Sequence, residues 1–317
     1  MRTGQPIRPV VIAHRGASGY LPEHTFPAKA LAYTMGADYL EQDVVATQDD
    51  QLVVLHDIHL DRVSDVEKKF PDRKRDDGRY YVRDFTLDEI RTLLVHERTN
   101  KNGQSVYPDR FQSSDEVFGI HTFSEELAFV AQLQASVGRA IGVYPEIKRP
   151  EWHRAEGVDI TPLFLGELGA HGYKGHNDSV YVQCFDDQEL VRIRESLNCE
   201  LKLIQLIGEN DWDEAATDYD ELLSTGGLKR LSQTVDGIGP WVNQLYRQNS
   251  SGRREDTGLV SRAHDEGLAV HPYTFRRDDL PAGFETFTEL LDFVIDELSI
   301  DGLFTDFPDL ARAQINK

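Results

Sequence analysis

Cysteine is nearly absent from this 317-residue chain, which carries only Cys184 and Cys199. Two thiols cannot build a disulfide scaffold and offer no metal-ligand spacing, so packing is their expected role and a Cys184–Cys199 bond the lesser alternative. Long apolar runs are missing too. None approaches the ~20 residues of a membrane-spanning helix, and the segment from Met1 to Pro9 lacks the roughly 7–15-residue apolar centre of a secretory leader, so the chain reads as soluble. Basic residues are in deficit, 34 against 55 acidic, for a net charge of −21. Such a surface repels nucleic acid and anionic membranes, and any phosphate site must be made locally positive by Arg, Lys or a metal. Internal repeats and low-complexity tracts are also lacking.

What is present is alternation. Short runs rich in Val and Ile are separated by amphipathic stretches of ~10–16 residues, the pattern of repeated βα units around a parallel sheet. Strands are expected at Val10-His14, Tyr39-Val45, Ile141-Ile147, Val180-Phe185, Leu201-Leu206, Gly237-Pro240, Ala269-Phe275 and Gly302-Thr305. Eight strands predict an α/β TIM (β/α)8 barrel, one domain over 1–317. Helices are expected at Phe26-Met35, Ser124-Ser136, Thr161-His171, Asp187-Leu197, Thr257-Glu266 and Phe287-Leu298. Thr86 with Glu89 and Thr122 with Glu125 form capping boxes, and Gly36, Gly172 and Gly267 close helices. Residues 58–120 break the rhythm, being polar and mixed in charge. They leave the strand hairpin at Gln51 to Asp57 and are read as an insertion capping the C-terminal mouth of the barrel, the alternative being an inert surface elaboration. Ser250 to Asp256 reads as an exposed loop.

The chemistry sits at strand ends. Residues two apart on a strand share a face, so Glu41 and Asp43 point together into the barrel mouth, and Glu146 arrives from the next parallel strand beside Lys148. Three hard oxygen donors suit Ca²⁺, Mg²⁺ or Mn²⁺ rather than zinc; the residues alone leave open a second reading, carboxylates neutralised by Lys148 and Arg15. His14 and His56 each end an apolar run, and imidazole titrates nearest neutrality, which suits it to proton transfer in either direction. Arg15 offers a planar fork for phosphate oxygens and Lys148 a compact charge. Phe185 and Phe307 close strands and either line the pocket or pack the core. Glu23 is expected to cap or orient a helix start and His24 to support its loop. His59, His96, His121, His153, His171, His176 and His264 read as ordinary surface residues.

These residues lie in an ordered series that resembles the glycerophosphodiester phosphodiesterase family. The series comprises Val10-Val11-Ile12-Ala13-His14-Arg15-Gly16 with Pro22-Glu23-His24-Thr25, Tyr39-Leu40-Glu41-Gln42-Asp43-Val44, Leu52-Val53-Val54-Leu55-His56-Asp57, Tyr144-Pro145-Glu146-Ile147-Lys148, Val182-Gln183-Cys184-Phe185 and Gly302-Leu303-Phe304-Thr305-Asp306-Phe307-Pro308. It spans nearly the whole chain. The resemblance implies one divalent cation on Glu41, Asp43 and Glu146, with Ca²⁺ the first expectation and Mg²⁺ or Mn²⁺ the alternatives. It also implies His14 and His56 as the acid–base pair, and a glycerol 2-hydroxyl attacking to give a cyclic phosphate that water opens. Gln183 matches a family position near the site. Tyr273 stands where many relatives carry tryptophan against the glycerol. The connection containing Leu60-Asp61-Arg62-Val63 and Phe70-Pro71-Asp72-Arg73 is similar to that of the bacterial periplasmic branch, which implies an exported protein whose leader is not in this chain, a cytoplasmic enzyme being the alternative.

The expected activity is hydrolysis of glycerophosphodiesters such as glycerophosphocholine and glycerophosphoethanolamine to sn-glycerol 3-phosphate and an alcohol. Two other readings stand beside it, a phospholipase D-like enzyme on intact lipid and a non-catalytic binding or adhesion barrel. The acidic surface disfavours the first, and the joint presence of His14, His56 and three acids disfavours the second. The expected partners are a small-molecule diester and at most a second copy of the chain, with no nucleic acid and no stable membrane association.

Overall fold

The computed structural model describes residues 8–112, 118–250 and 252–317. Most of the Met1 to Pro9 segment, Ser251 and residues 113–117 of the insertion lie outside the described residues. Among the described residues eleven strands form: β1 Val10–Ala13, β2 Tyr39–Ala46, β3 Leu52–Val54, β4 Gly142–Ile147, β5 Tyr181–Cys184, β6 Lys202–Ile207, β7 Gly237–Pro240, β8 Tyr246–Gln248, β9 Arg254–Asp256, β10 Ala269–Val270 and β11 Gly302–Thr305. The parallel strands run in the order β10-β7-β6-β5-β4-β2-β1-β11, with β3 antiparallel on β2. Phe275 N–H donates to the Phe304 carbonyl at 2.8 Å and Phe304 N–H to that of Pro272 at 3.1 Å, which closes the ring between β10 and β11. This is the eight-stranded parallel barrel that the alternation predicts.

Inside the ring, period-two alternation stacks the side chains in layers. Ile12, Tyr144, Ile204 and Phe304 form an interior cluster with Tyr39, Tyr181 and Tyr273 packed on it. Two residues further along, β2 and β4 present Glu41 and Glu146 instead. An apolar aromatic plug therefore floors a polar mouth, and the floor excludes water from below. Gly142 permits the close approach of β2, since a Cβ there would lie 2.2 Å from the Tyr39 ring. The outer faces of the strands pack on the helices in one large core.

Both capping boxes form, and Gly36, Gly172 and Gly267 all adopt positive φ just past helix ends. Several boundaries differ from expectation. The predicted strand Ala269-Phe275 is regular only at Ala269–Val270 and continues as single bridges at Tyr273 and Phe275, because Pro272 between them has no N–H for the ladder. Helices begun at Asp187 and Phe287 widen into π turns at Arg192–Ser196 and Phe293–Glu297. The loop expected at Ser250 to Asp256 contains β9, which pairs with β8. Helices Pro150–Ala155, Thr225–Leu231 and Pro308–Ile315 were not expected from the sequence, and two of them open on proline at the first helical position.

The insertion has a core of its own. Ile58, Leu60, Val63, Val66, Val82, Phe85, Ile90, Leu93 and Val95 are buried against Val45, Val53 and Leu55 of the β2–β3 hairpin. Its apolar residues follow no helical or strand period because the segment is built from short turns, with helices only at Val66–Lys69 and Leu87–Ile90. Among the described residues no helix is long and apolar enough to cross a membrane. Cys184 is buried and Cys199 half-buried, and both are free thiols.

Candidate active site

The turn after β1 sets the site. Arg15 sits in the left-handed region at φ 58° and Gly16 follows at φ 92°, where a Cβ would meet the Ala28 backbone at 2.9 Å. Holding a non-glycine residue there costs of order 1–3 kcal/mol, offset here by specific bonds. Arg15 N–H donates to Glu41 Oε2, and His24 N–H donates to the Arg15 carbonyl at 2.9 Å. The strained arginine is thus fixed against β2.

A cavity of about 240 Å³ opens at the mouth, lined by His14, Arg15, Glu41, Asp43, His56, Glu146, Lys148, Gln183, Phe185 and Tyr273 among others. Ten sequence-predicted residues therefore converge on one space. Phe307 does not. It is fully buried outside the barrel, its ring edge-on to Tyr20 at 5.3 Å and close over Gly19, and the aromatic that faces the cavity is Phe304. The correction follows from register: Phe304 points inward beside Ile12, and residue 307, three positions on and past the end of β11 at Thr305, has the opposite parity and falls on the outer side.

Each histidine is held by a carboxylate. His14 Nδ1 lies 2.6 Å from Asp306 Oδ1 and His56 Nδ1 lies 2.5 Å from Asp57 Oδ1. With Nδ1 committed, Nε2 of each ring is the nitrogen available to the cavity. Burial, reinforced by Arg15, lowers His14 to about 3, and burial, Arg15 and Lys148 lower His56 as well. Both imidazoles are therefore neutral at neutral pH in the ligand-free protein.

The acids crowd. Burial and the neighbouring Asp43 push Glu41 well above the ordinary carboxylate range, while Asp43, despite burial, is held well below it by His56, His24 and Lys148. Burial also pushes Glu146 up, against the pull of Lys148 Nζ at 2.8 Å from its Oε1. Asp43 Oδ1 is buried with no hydrogen-bond partner among the described residues. Ligand atoms of His24, Glu41 and Asp43 all lie within 4.8 Å of one another, an arrangement consistent with a divalent cation. Glu146 stands outside that tight group, although it faces Asp43 in the β2–β4 register. An orphaned carboxylate oxygen beside acids whose charge is disfavoured is what a hard cation would satisfy.

Opposite the acids stands an aromatic wall. Tyr273 and Phe185 meet edge to face at 5.9 Å, Trp212 and Trp241 at 5.2 Å, and the Tyr273 hydroxyl donates to the Ile207 carbonyl at 2.9 Å. Gln183 reaches the cavity with its Oε1 buried and, among the described residues, without a hydrogen-bond partner.

Sequence reasoning missed the residues that hold these in place. Glu23 caps no helix, since Thr25 accepts from Ala28 N–H and is the N-cap. Glu23 instead binds Arg15 at 3.0 Å and Arg98 of the insertion at 2.6 Å, and Arg98 also binds Asp57 at 2.8 Å. Asp306 receives Arg110 and Arg276 as well as His14. Asp57 and Asp306 each end an apolar run, the signal that could have found them; Arg98 and Arg110 carry none. His24 does more than support its loop: its Nε2–H donates to Asp43 Oδ2 at 2.8 Å. His121 and His153 are buried rather than surface residues. His121 stacks on Phe26 and pairs with Glu126, and His153 accepts from Ala46 N–H and donates to the Arg149 carbonyl. Each packs under a neighbouring segment that only the fold brings over it.

Comparison with known proteins agrees with this geometry. The sequence profile of the glycerophosphoryl diester phosphodiesterase family matches residues 14–310. A glycerophosphodiester phosphodiesterase of Haemophilus influenzae is 43% identical over 95% of this chain and 88% of its own length, and one of Treponema pallidum is 38% identical over 97% and 92%. Among solved structures, a phosphodiesterase of Oleispira antarctica in complex with the product sn-glycerol-3-phosphate superposes with TM-score 0.64 at 20% identity, covering 98% of this chain and 97% of that one. A glycerophosphodiester phosphodiesterase of Thermotoga maritima gives 0.59 at 17%, covering 96% and 97%. The chain belongs to the glycerophosphoryl diester phosphodiesterase family. It is an enzyme of the phosphoric diester hydrolase class.

Proposed function

We propose that the protein hydrolyses glycerophosphodiesters, glycerophosphocholine and glycerophosphoethanolamine among them, to sn-glycerol 3-phosphate and the free alcohol, with His14 and His56 as the proton-transfer pair. The observation that carries this reading is a pair of carboxylate-held imidazoles lining one cavity with Arg15. One imidazole takes the proton of the glycerol 2-hydroxyl as that oxygen bonds to phosphorus; the other, protonated, gives its proton to the departing alkoxide as the P–O bond breaks. A bound diester anion offsets the Arg15 charge that depresses both rings, which favours protonation of one. In the second half the roles reverse: water opens the cyclic phosphate, losing a proton to the imidazole that had donated, and the 2-oxygen recovers its proton from the other.

Arg15 and Lys148 stabilise charge that grows on the phosphoryl oxygens, and Phe185 and Tyr273 wall the glycerol, with Gln183 within reach of its hydroxyls. Glu41, Asp43 and Glu146 are the residues that would hold one divalent ion, Ca²⁺ first; bound there, it would supply Lewis-acid activation of the phosphate. The insertion caps the mouth in this reading, since Arg98 ties it to the loops of both histidines. Export to the periplasm is inferred from the resemblance of that insertion to the exported branch.

Glycerol 3-phosphate release from a panel of glycerophosphodiesters, repeated after chelation and re-addition of Ca²⁺, Mg²⁺ or Mn²⁺, tests the reading. Activity that is lost to chelator and restored by one ion supports it. Turnover of choline-lipid vesicles exceeding that of glycerophosphocholine, or solvent oxygen incorporated with no cyclic intermediate in a single turnover, overturns the substrate or the mechanism respectively.

A further inference from the structure

A diester has two arms, and the mouth has two chambers. Beside the main cavity lies a second of about 160 Å³, and the two share His14, Arg15, His56 and Arg276. A phosphate set between the histidines has one ester arm in each. The aromatic chamber takes the glycerol in the reading above, on which this inference rests, so the second chamber receives the departing alcohol. Its outer wall comes from the insertion: Glu97, Arg98, Tyr107 and Arg110.

The charges of that chamber are matched but for one. Glu23 binds Arg15 and Arg98, and Asp306 binds Arg110 and Arg276. Arg98 and Arg110 have second carboxylates in Asp57 and Asp278. Glu97 Oε2 is buried and has no hydrogen-bond partner among the described residues. A buried carboxylate oxygen left bare bears the full desolvation of that group, and a ligand donor removes the cost. We infer that Glu97 is a specificity-determining residue that receives the protonated amine of the leaving alcohol, so that the enzyme selects diesters with a primary ammonium head group over those with an uncharged polyol. Burial together with the nearby Glu23 pushes the Glu97 carboxyl up to about 7, the direction expected of an acid whose charge awaits a cation.

The test is kcat/KM for glycerophosphoethanolamine and for glycerophosphoglycerol, measured on wild type and on Glu97→Gln. An N⁺–H to carboxylate contact outweighs its neutral counterpart by about 1.4 kcal/mol, a factor of about 10, so the ethanolamine-to-glycerol ratio should fall about tenfold in the variant. Both substrates are read on the same preparation, so any loss of folded enzyme cancels from the ratio. A ratio unchanged within about twofold overturns the assignment of Glu97 while leaving the diesterase intact. A wild type that turns over neither diester overturns the proposed function itself.

Discussion

Strand β2 carries a polar cluster on each face, and the two are built to opposite specifications. Outward, Gln42 donates to Glu126 at 2.9 Å, Lys29 pairs with the same carboxylate at 3.0 Å, and His121 meets its other oxygen at 2.7 Å. Lys29 also donates to the Glu41 carbonyl. Both Glu126 oxygens are used, and against burial Lys29 and His121 hold the acid down to about 2. Inward, Glu41 and Asp43 lie side by side, and among the described residues Asp43 Oδ1 and Arg15 Nε have no hydrogen-bond partner, although Arg15 Nε stands 3.6 Å from Asp43 Oδ2. Residues one apart on the same backbone thus divide into a set whose charges are matched, with His121 Nδ1 left without a hydrogen-bond partner among the described residues, and a set in which an acid oxygen is left bare. The satisfied set is structural, and the unsatisfied one is a place for something to bind.

The largest effect expected separates the two faces by readout. His14→Ala and His56→Ala should each lose about 10²–10⁴ in kcat with a near-native melting temperature, measured by steady-state kinetics beside thermal melts. Full turnover in either variant would remove it from the acid–base pair. On the outer face the readout reverses: Lys29→Met strands a buried Glu126 and should cost about 3–5 kcal/mol of stability, much of it regained in the Lys29→Met, Glu126→Leu double variant. Denaturant titration decides, and a single-variant loss under about 1 kcal/mol would erase the contrast drawn here.

A smaller effect comes from His153, which is 0% exposed and lowered by burial to about 4 from 6.5. Between those values the unfolded chain binds a proton that the folded chain refuses, so stability falls as pH drops from about 6.5 to 4, by up to about 1.4 kcal/mol per unit from this group. The melting temperature followed across that range should decline, and less steeply in His153→Gln; an equal slope would show that the ring is not buried neutral. Smallest is the gain from Glu41→Gln, which removes the like charge beside Asp43. In the metal-free protein it should raise stability on the order of 1 kcal/mol and blunt the rise in melting temperature on adding Ca²⁺. Destabilisation of the chelated variant would mean that the inward acids are not in conflict.

Much of the inward set was legible because it obeys a local rule. A strand has period two, and barrel strands deliver their ends to one mouth, so Glu41 with Asp43 and Glu146 with Lys148 could be placed together from spacing alone. Phe307 failed because being last in a motif does not fix a face: it stands three residues from the inward Phe304, so period two sends it outward into the packing under helix Pro308–Ile315. Arg98 and Arg110 were invisible for another reason. They belong to an aperiodic segment, and their partners Glu23 and Asp306 lie 75 and 196 residues away in sequence.

The chain alone determined the eight-strand alternation, the acids and imidazoles at strand ends and the family, because each is written in short-range periodicity or ordered motifs. Only the tertiary structure decided which carboxylate holds which histidine, which aromatic faces inward, and that the insertion walls a second chamber with an unmatched Glu97. Those are matters of distance between segments far apart along the backbone, set by how helices and loops pack on the barrel, and no local pattern encodes them.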